Sequence, residues 1–157
     1  MIRTATVRDV PVILDLVRAL AAYEREPDAV QATEEMLTTA LFGPAPVASC
    51  HVAEDSSGLV VGFALWYVTF STWTGRPGLW LEDLFVLPAA RGAGHGRDLL
   101  QALAQVCVDR GYPRLEWWVL DWNTSAQEFY GRLGARAEDE WTVWRMEPEA
   151  IAALAEA

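Results

Sequence analysis

Three glycines at alternate positions, Gly92, Gly94 and Gly96, separate an apolar run ending at Val86 from an amphipathic run with Leu99, Leu100, Leu103 and Cys107 on one side. A glycine loop between a strand and a helix leaves several backbone N–H groups with no side chain over them. Amides so placed at a helix N-terminus form a cradle for an anion such as a phosphate. Arg91 adds a fixed positive charge suited to a pyrophosphate. The residues alone leave the loop open to several nucleotide-binding uses, or to a turn without chemistry. They exclude a Rossmann fingerprint, whose third glycine is replaced by Arg97 or Leu99, and a P-loop, because all twelve basic residues are Arg and none is Lys. The lack of lysine also removes Schiff-base chemistry and the protein-kinase constellation.

The 157 residues suit one domain, 1–157. Ile2–Ala5 is predicted as a short strand. Asp9 is expected to cap a helix running to Tyr23, with Val10, Ile13, Leu14, Val17, Leu20 and Ala21 on its inner face. A second helix is placed from Thr33 to the residue before Gly43. Val47–Glu54 and Leu59–Phe70 read as a hairpin around Asp55-Ser56-Ser57-Gly58, Ser71–Gly78 as a loop, and Leu79–Leu87 as a third long strand. After the glycine loop a helix runs to Arg110 and ends at Gly111. Leu115–Leu120 reads as a strand, Ser125–Leu133 as a short helix, Trp141–Met146 as a last strand and Pro148–Ala157 as a terminal helix. The order predicts an α/β fold with a mixed, mostly antiparallel sheet and helices on both faces.

Twelve basic against 22 acidic residues give a net charge of −10. Nucleic acid and anionic membranes both demand clustered positive charge, so neither is an expected partner, whereas a cationic small molecule is. Cys50 and Cys107 are distant from each other with no CxxC pair, and read as free, packed thiols of a reducing compartment. With no apolar leader and no long apolar run, the chain is expected to be soluble and cytoplasmic. His51 and His95 with two distant cysteines make no metal-ligand set, and no metal is expected. Of the eight tryptophans, Trp66, Trp80, Trp117 and Trp118 fit a core, while Trp73, Trp122, Trp141 and Trp144 fit a pocket or an interface.

Arg91-Gly92-Ala93-Gly94-His95-Gly96 resembles the Arg/Gln-x-x-Gly-x-Gly/Ala signature of the GNAT superfamily of N-acetyltransferases. Asn123-Thr124-Ser125-Ala126-Gln127-Glu128-Phe129-Tyr130, followed by Gly134-Ala135, is similar to that family's second motif. Leu81-Glu82-Asp83-Leu84-Phe85-Val86, Ala22-Tyr23-Glu24 and Val119-Leu120-Asp121-Trp122-Asn123 resemble the spermidine/spermine (diamine) and thialysine acetyltransferase branch. The resemblance runs from Ile2 to about Trp144. It implies a GNAT-like fold, acetyl-CoA as co-substrate, a small primary amine as acceptor, direct attack without an acyl-enzyme, and a homodimer.

Acetyl transfer to an amine needs a base for the ammonium, donors for the carbonyl oxygen and an acid for the thiolate. By resemblance Glu82 is the candidate base, acting through water, although a carboxylate there also serves as a plain cation anchor. Asp83 should point to the opposite face unless a bulge turns both. Tyr130 is the candidate acid. Backbone of Leu84, Phe85 and Val86 is expected on the pantetheine arm and carbonyl. The run Arg91, Gly92, Ala93, Gly94, His95, Gly96 and Arg97 is expected on the diphosphate, with Asn123, Ser125, Ala126 and Tyr130 completing the coenzyme site. Asn123 alternatively forms a local Asx turn. Tyr23, Glu24, Glu82, Asp83, Trp73, Asp139 and Glu140 are the candidate acceptor residues. By the same resemblance, Ser71-Thr72 stands where the diamine enzymes usually carry an acidic residue before Trp73, which weakens the case for a long polyamine and leaves a shorter amine open. The alternatives are thialysine, an amino acid or another small amine as acceptor, or a catalytically silent CoA-binding regulatory protein.

Overall fold

The computed structural model describes residues Met1–Glu156, arranged as two compact units, Met1–Trp118 and a second beginning at Val119. The first unit carries β1 (Ile2–Thr4), α1 (Val10–Tyr23), α2 (Glu34–Phe42), β2 (Ser49–Glu54), β3 (Val60–Ser71), β4 (Arg76–Val86), α3 (His95–Arg110) and β5 (Leu115–Glu116). Its sheet has the order β1-β2-β3-β4-β5, antiparallel except for the parallel β4–β5 pair. The expected mixed, mostly antiparallel sheet is therefore present.

The helices occupy both faces of this sheet. Ile13 and Leu16 of α1 and Leu41 of α2 pack with Cys50, Val52, Phe63 and Phe85 in one buried cluster. On the other face α3 buries Leu99, Leu100, Leu103 and Cys107, the four residues its spacing singled out, and Arg110 from its last turn lies over Trp66. Burying such side chains contributes about 1.5–3 kcal/mol each, and the apolar stripes thus decide which helix covers which face.

Several expectations are corrected. Asp9 does not cap α1: its carboxylate receives Arg3 through two bonds of 2.7 and 2.8 Å and the Thr6 N–H at 2.7 Å. A buried carboxylate beside a guanidinium is worth more as an ion pair than as a cap, and Arg3 holds it well below the usual carboxylate range. Thr33 does cap α2, its hydroxyl accepting from Met36 N at 3.2 Å. The predicted loop Ser71–Gly78 is half ladder, because Ser71 pairs Arg76, Phe70 pairs Pro77 and Thr69 pairs Gly78, and only residues 72–75 form the turn. A long partner strand overrides the weak propensity of Pro and Gly at the end of a hairpin. β5 shrinks from the expected Leu115–Leu120 to two residues. Trp118 is accordingly no core residue: it lies past the strand end and is 60% exposed.

The second unit contains α4 (Thr124–Arg132) and α5 (Pro148–Ala155). Residues 141–146 form no strand, and Trp141, Val143, Trp144 and Met146 are all exposed. Their aromatic and β-branched content suggests a strand, but a strand requires a laddered neighbour. The terminal helix was expected to reach Ala157, which lies outside the described residues. Among those residues no helix is long and apolar enough to cross a membrane.

Candidate active site

The register of β4 against β3 slips by one residue in the middle of the sheet. Leu65 pairs Asp83 and Trp66 pairs Leu81, so Glu82 is the extra residue of a β-bulge. A regular pleat would send Glu82 and Asp83 to opposite faces. With the bulge, both join the face covered by α1. Glu82 meets Trp80, whose Nε1 donates to Oε2 at 3.1 Å, and Asp83 stands in register with Leu65 and Cys50, both of the α1-side cluster.

Three carboxylates share this face. Asp83 is pushed up to about 6, first by burial, then by the charges of Glu82 and Glu24. Burial also raises Glu24, the residue that ends α1. Glu82 is exposed, and the phenol of Tyr67 lies beside its carboxylate. Burial, the charge of Glu82 and a hydrogen bond to it keep that phenol above its ordinary value. Tyr67, Trp80 and Trp118 continue the wall: the Tyr67 and Trp80 rings are 6.5 Å apart, and Trp118 meets Trp80 edge-on at 5.0 Å. Neither Tyr67 nor Trp80 was singled out for the site from the sequence. The signal was present, since both alternate with core positions on adjacent strands, but their pairing follows only from the register.

Beyond Trp80 the parallel ladder stops. β5 pairs only Leu79 and Trp80, which leaves the backbone edge of β4 from Leu81 to Val86, including Leu84 and Phe85, unladdered on that side. Downstream, Pro88–Ala90 makes a single 3-10 turn before the glycine loop. Gly92 and Gly94 have φ of 85° and 89°, a left-handed backbone that side chains oppose. A Cβ at Gly92 would meet nothing within 4 Å, and one at Gly94 only the Asp98 carboxylate. The first intrahelical bond of α3 is Asp98 N to Gly94 O, so the amides of His95, Gly96 and Arg97 are those a helix leaves over at its start. Helix-start amides with open space beside Gly92 suit an anion such as a diphosphate.

Arg91 does not extend from this loop as an isolated charge. Its Nε donates to the Val86 carbonyl at 3.1 Å, and its guanidinium lies 4.8 Å from the Tyr23 ring centroid and 5.6 Å from that of Phe85. Trp73, on the β3–β4 turn, is 88% exposed.

In the second unit Asn123 precedes α4 and caps it, Oδ1 accepting from Ala126 N at 3.2 Å. This is the local turn that its position allowed. Tyr130 lies half-buried on the same helix, its ring 5.2 Å from Phe129, and Ser125 occupies the first turn. Asp139 and Glu140 sit in an exposed turn of that unit.

Both cysteines are free and buried. Burial pushes the Cys107 thiol up and, with the charges of Asp9 and Asp83, takes Cys50 to about 12. Neither is therefore a thiolate nucleophile near neutral pH. Among the described residues no group of His, Cys, Asp and Glu is arranged to hold a metal.

The acetyltransferase (GNAT) family model matches residues 13–135. A thialysine N-epsilon-acetyltransferase of Bos taurus is 41% identical over 99% of this chain and 96% of its own length. The spermidine/spermine N(1)-acetyltransferase-like protein 1 of Homo sapiens is 34% identical over 98% of this chain, which spans 23% of that longer protein. Among solved structures, an integron cassette protein from the mobile metagenome of V. cholerae superposes with a TM-score of 0.82 at 25% identity, covering 100% of this chain and 98% of the other.

Proposed function

The chain belongs to the acetyltransferase (GNAT) family, and from that premise we propose that it moves the acetyl group of acetyl-CoA to the primary amine of a small cationic acceptor. The observation that carries the acceptor reading is the bulge at Glu82, which adds a third carboxylate to the face where Asp83 and Glu24 already stand. Three acidic groups beside aromatic rings suit an ammonium and repel an anionic acceptor.

The thioester supplies an activated acetyl group, and the protein's residues manage the protons. An alkyl ammonium, with a pKa of about 10.4, has no lone pair at neutral pH. Glu82 takes the proton, directly or through water, held by Trp80 and Tyr67. The amine then attacks the carbonyl carbon, and the C–S bond breaks as the carbonyl re-forms; the second proton leaves the nitrogen as the amide forms and replaces the one that Tyr130 gives up. Tyr130 donates its phenolic proton to the leaving thiolate. Backbone amides of Leu84, Phe85 and Val86 along the unladdered edge of β4 serve the carbonyl and the pantetheine arm. The amides from Gly92 to Arg97 receive the diphosphate, and Asn123, Ser125 and Ala126 complete the coenzyme site. Tyr23, Trp73, Asp139 and Glu140 are assigned to the acceptor side.

The family match crosses the boundary between the two compact units, which supports reading 1–157 as one catalytic domain. Free buried thiols support a reducing, cytoplasmic setting, and the exposed Trp141 and Trp144 support a homodimer. Neither nucleic acid nor membrane is assigned as a partner.

A second acceptor reading has its own support. The bovine relative is named for thialysine, and Ser71-Thr72 leaves no carboxylate before Trp73 for a long polyamine. Thialysine or another short amino-acid amine then replaces the diamine, with the same chemistry. Retention of Glu82 and Tyr130 speaks against a silent CoA-binding protein. The test is a CoA-release assay with spermidine, putrescine, thialysine and lysine. Release with at least one amine is expected; no release from any, together with no calorimetric binding of CoA, overturns the reading.

A further inference from the structure

We propose that Arg91, although it opens the diphosphate loop, is a positioning residue for the acceptor side, acting through Tyr23. The assignment rests on the acetyl-transfer reading above.

Three contacts fix the side chain. Nε bonds the Val86 carbonyl at 3.1 Å, which returns the loop onto the end of β4. The central carbon of the guanidinium then lies over Tyr23 at 4.8 Å and Phe85 at 5.6 Å, and those two rings are themselves 6.3 Å apart. Arg91 therefore joins three elements: the loop, the last turn of α1 and the strand carrying Glu82 and Asp83. Tyr23 is adjacent in sequence to Glu24, and Phe85 lies two residues from Asp83 on the same face. The stack holds the end of α1 against β4 at the place where Glu24 and Asp83 feel each other's charge.

A point charge cannot do this. The task needs a cation that donates at Nε while its delocalised centre lies over two rings, which a lysine ammonium cannot reproduce. A diphosphate anchor makes the opposite demand, since an ammonium is also a good phosphate partner. The loop's own amides already offer the diphosphate a cradle without this side chain.

Arg91→Lys separates the two roles, with Arg91→Ala beside it. If Arg91 positions the acceptor side, both variants raise the amine KM about tenfold, leave kcat within about threefold and leave the Kd for CoA within about twofold. Combining Arg91→Ala with Tyr23→Leu should then add little to either change alone, because both act through one stack. The proposal is overturned if Arg91→Lys behaves as the parent while Arg91→Ala weakens CoA tenfold or more, or if the two substitutions multiply fully. Parent protein that binds CoA but acetylates no amine fails the underlying reading instead, and calorimetry on the parent tells the two failures apart.

Discussion

The Trp80 indole donates to Glu82 Oε2 across 3.1 Å, two residues along the same strand, at the point where the ladder to β3 skips. A bulged carboxylate has no ladder on its own residue to orient it. Trp80 and Tyr67, paired with each other across β3 and β4, hold it from the side. The bulge turns two carboxylates to one face, and the aromatic pair keeps the exposed one aimed.

Trp80→Phe should preserve the ring and its packing while removing the donor. A hydrogen bond of this kind contributes about 1 kcal/mol, equivalent to about a fivefold fall in kcat if Glu82 must be aligned for proton transfer. Tyr67→Phe should give a similar loss. Steady-state kinetics at saturating acetyl-CoA and amine provide the measurement, and unchanged kcat in both variants would leave Glu82 without its aromatic support.

Glu82→Gln distinguishes the base from the anchor by the direction in which the rate profile moves. With Glu82 as the base, its loss leaves only weaker acceptors for the proton, and the rising limb moves to higher pH. If the limb instead reports ionisation of Asp83, removing the neighbouring charge eases that ionisation, and the limb moves to lower pH. The profile of kcat/KM against pH between 5 and 9 decides between them.

Asp83→Asn should stabilise the protein at neutral pH. The folded state raises Asp83 from 3.8 to about 6, mainly through burial, so the native protein holds this proton more tightly than the unfolded chain. Its contribution is complete below about pH 4 and is lost as pH rises to about 6. Asn has nothing to ionise, and the variant should gain on the order of 2 kcal/mol at pH 8, with little change at pH 4. Urea denaturation at the two pH values measures the difference. Equal gains at both would assign the effect to packing.

Part of this arrangement is legible in the sequence. The glycine loop and the four inner residues of α3 follow from spacing and residue type, and the pair Glu82-Asp83 from the family resemblance. The bulge does not, because one inserted residue leaves no mark on composition or periodicity and shows only in the register of two strands. Arg91 is only partly legible for a different reason: its motif position points to the diphosphate, while its stack on Tyr23, 68 positions earlier in the chain, leaves no mark on spacing. Asp9 had the residue type and place of a cap, but Arg3 could reach it once β1 and the following turn formed. Residues 141–146 carry strand-favouring residue types without a strand, since composition records a preference and not a neighbour.

Tyr130→Phe tests the proton that ends the reaction. Tyr130 lies half-buried on α4, with the Phe129 ring 5.2 Å away, so replacing its hydroxyl with hydrogen should leave the helix intact. A general acid contributes about 10²–10⁴-fold to rate, and its loss falls on the step in which the thiolate departs. The Kd for CoA should stay within a few-fold, because the acid's proton moves only as the C–S bond breaks. A thioester analogue with a more acidic thiol needs less help to leave, so it should recover part of the lost rate in the variant while accelerating the parent less. Equal kcat in Tyr130→Phe and the parent, or an equal loss with every leaving group, would remove the phenol from the role of acid.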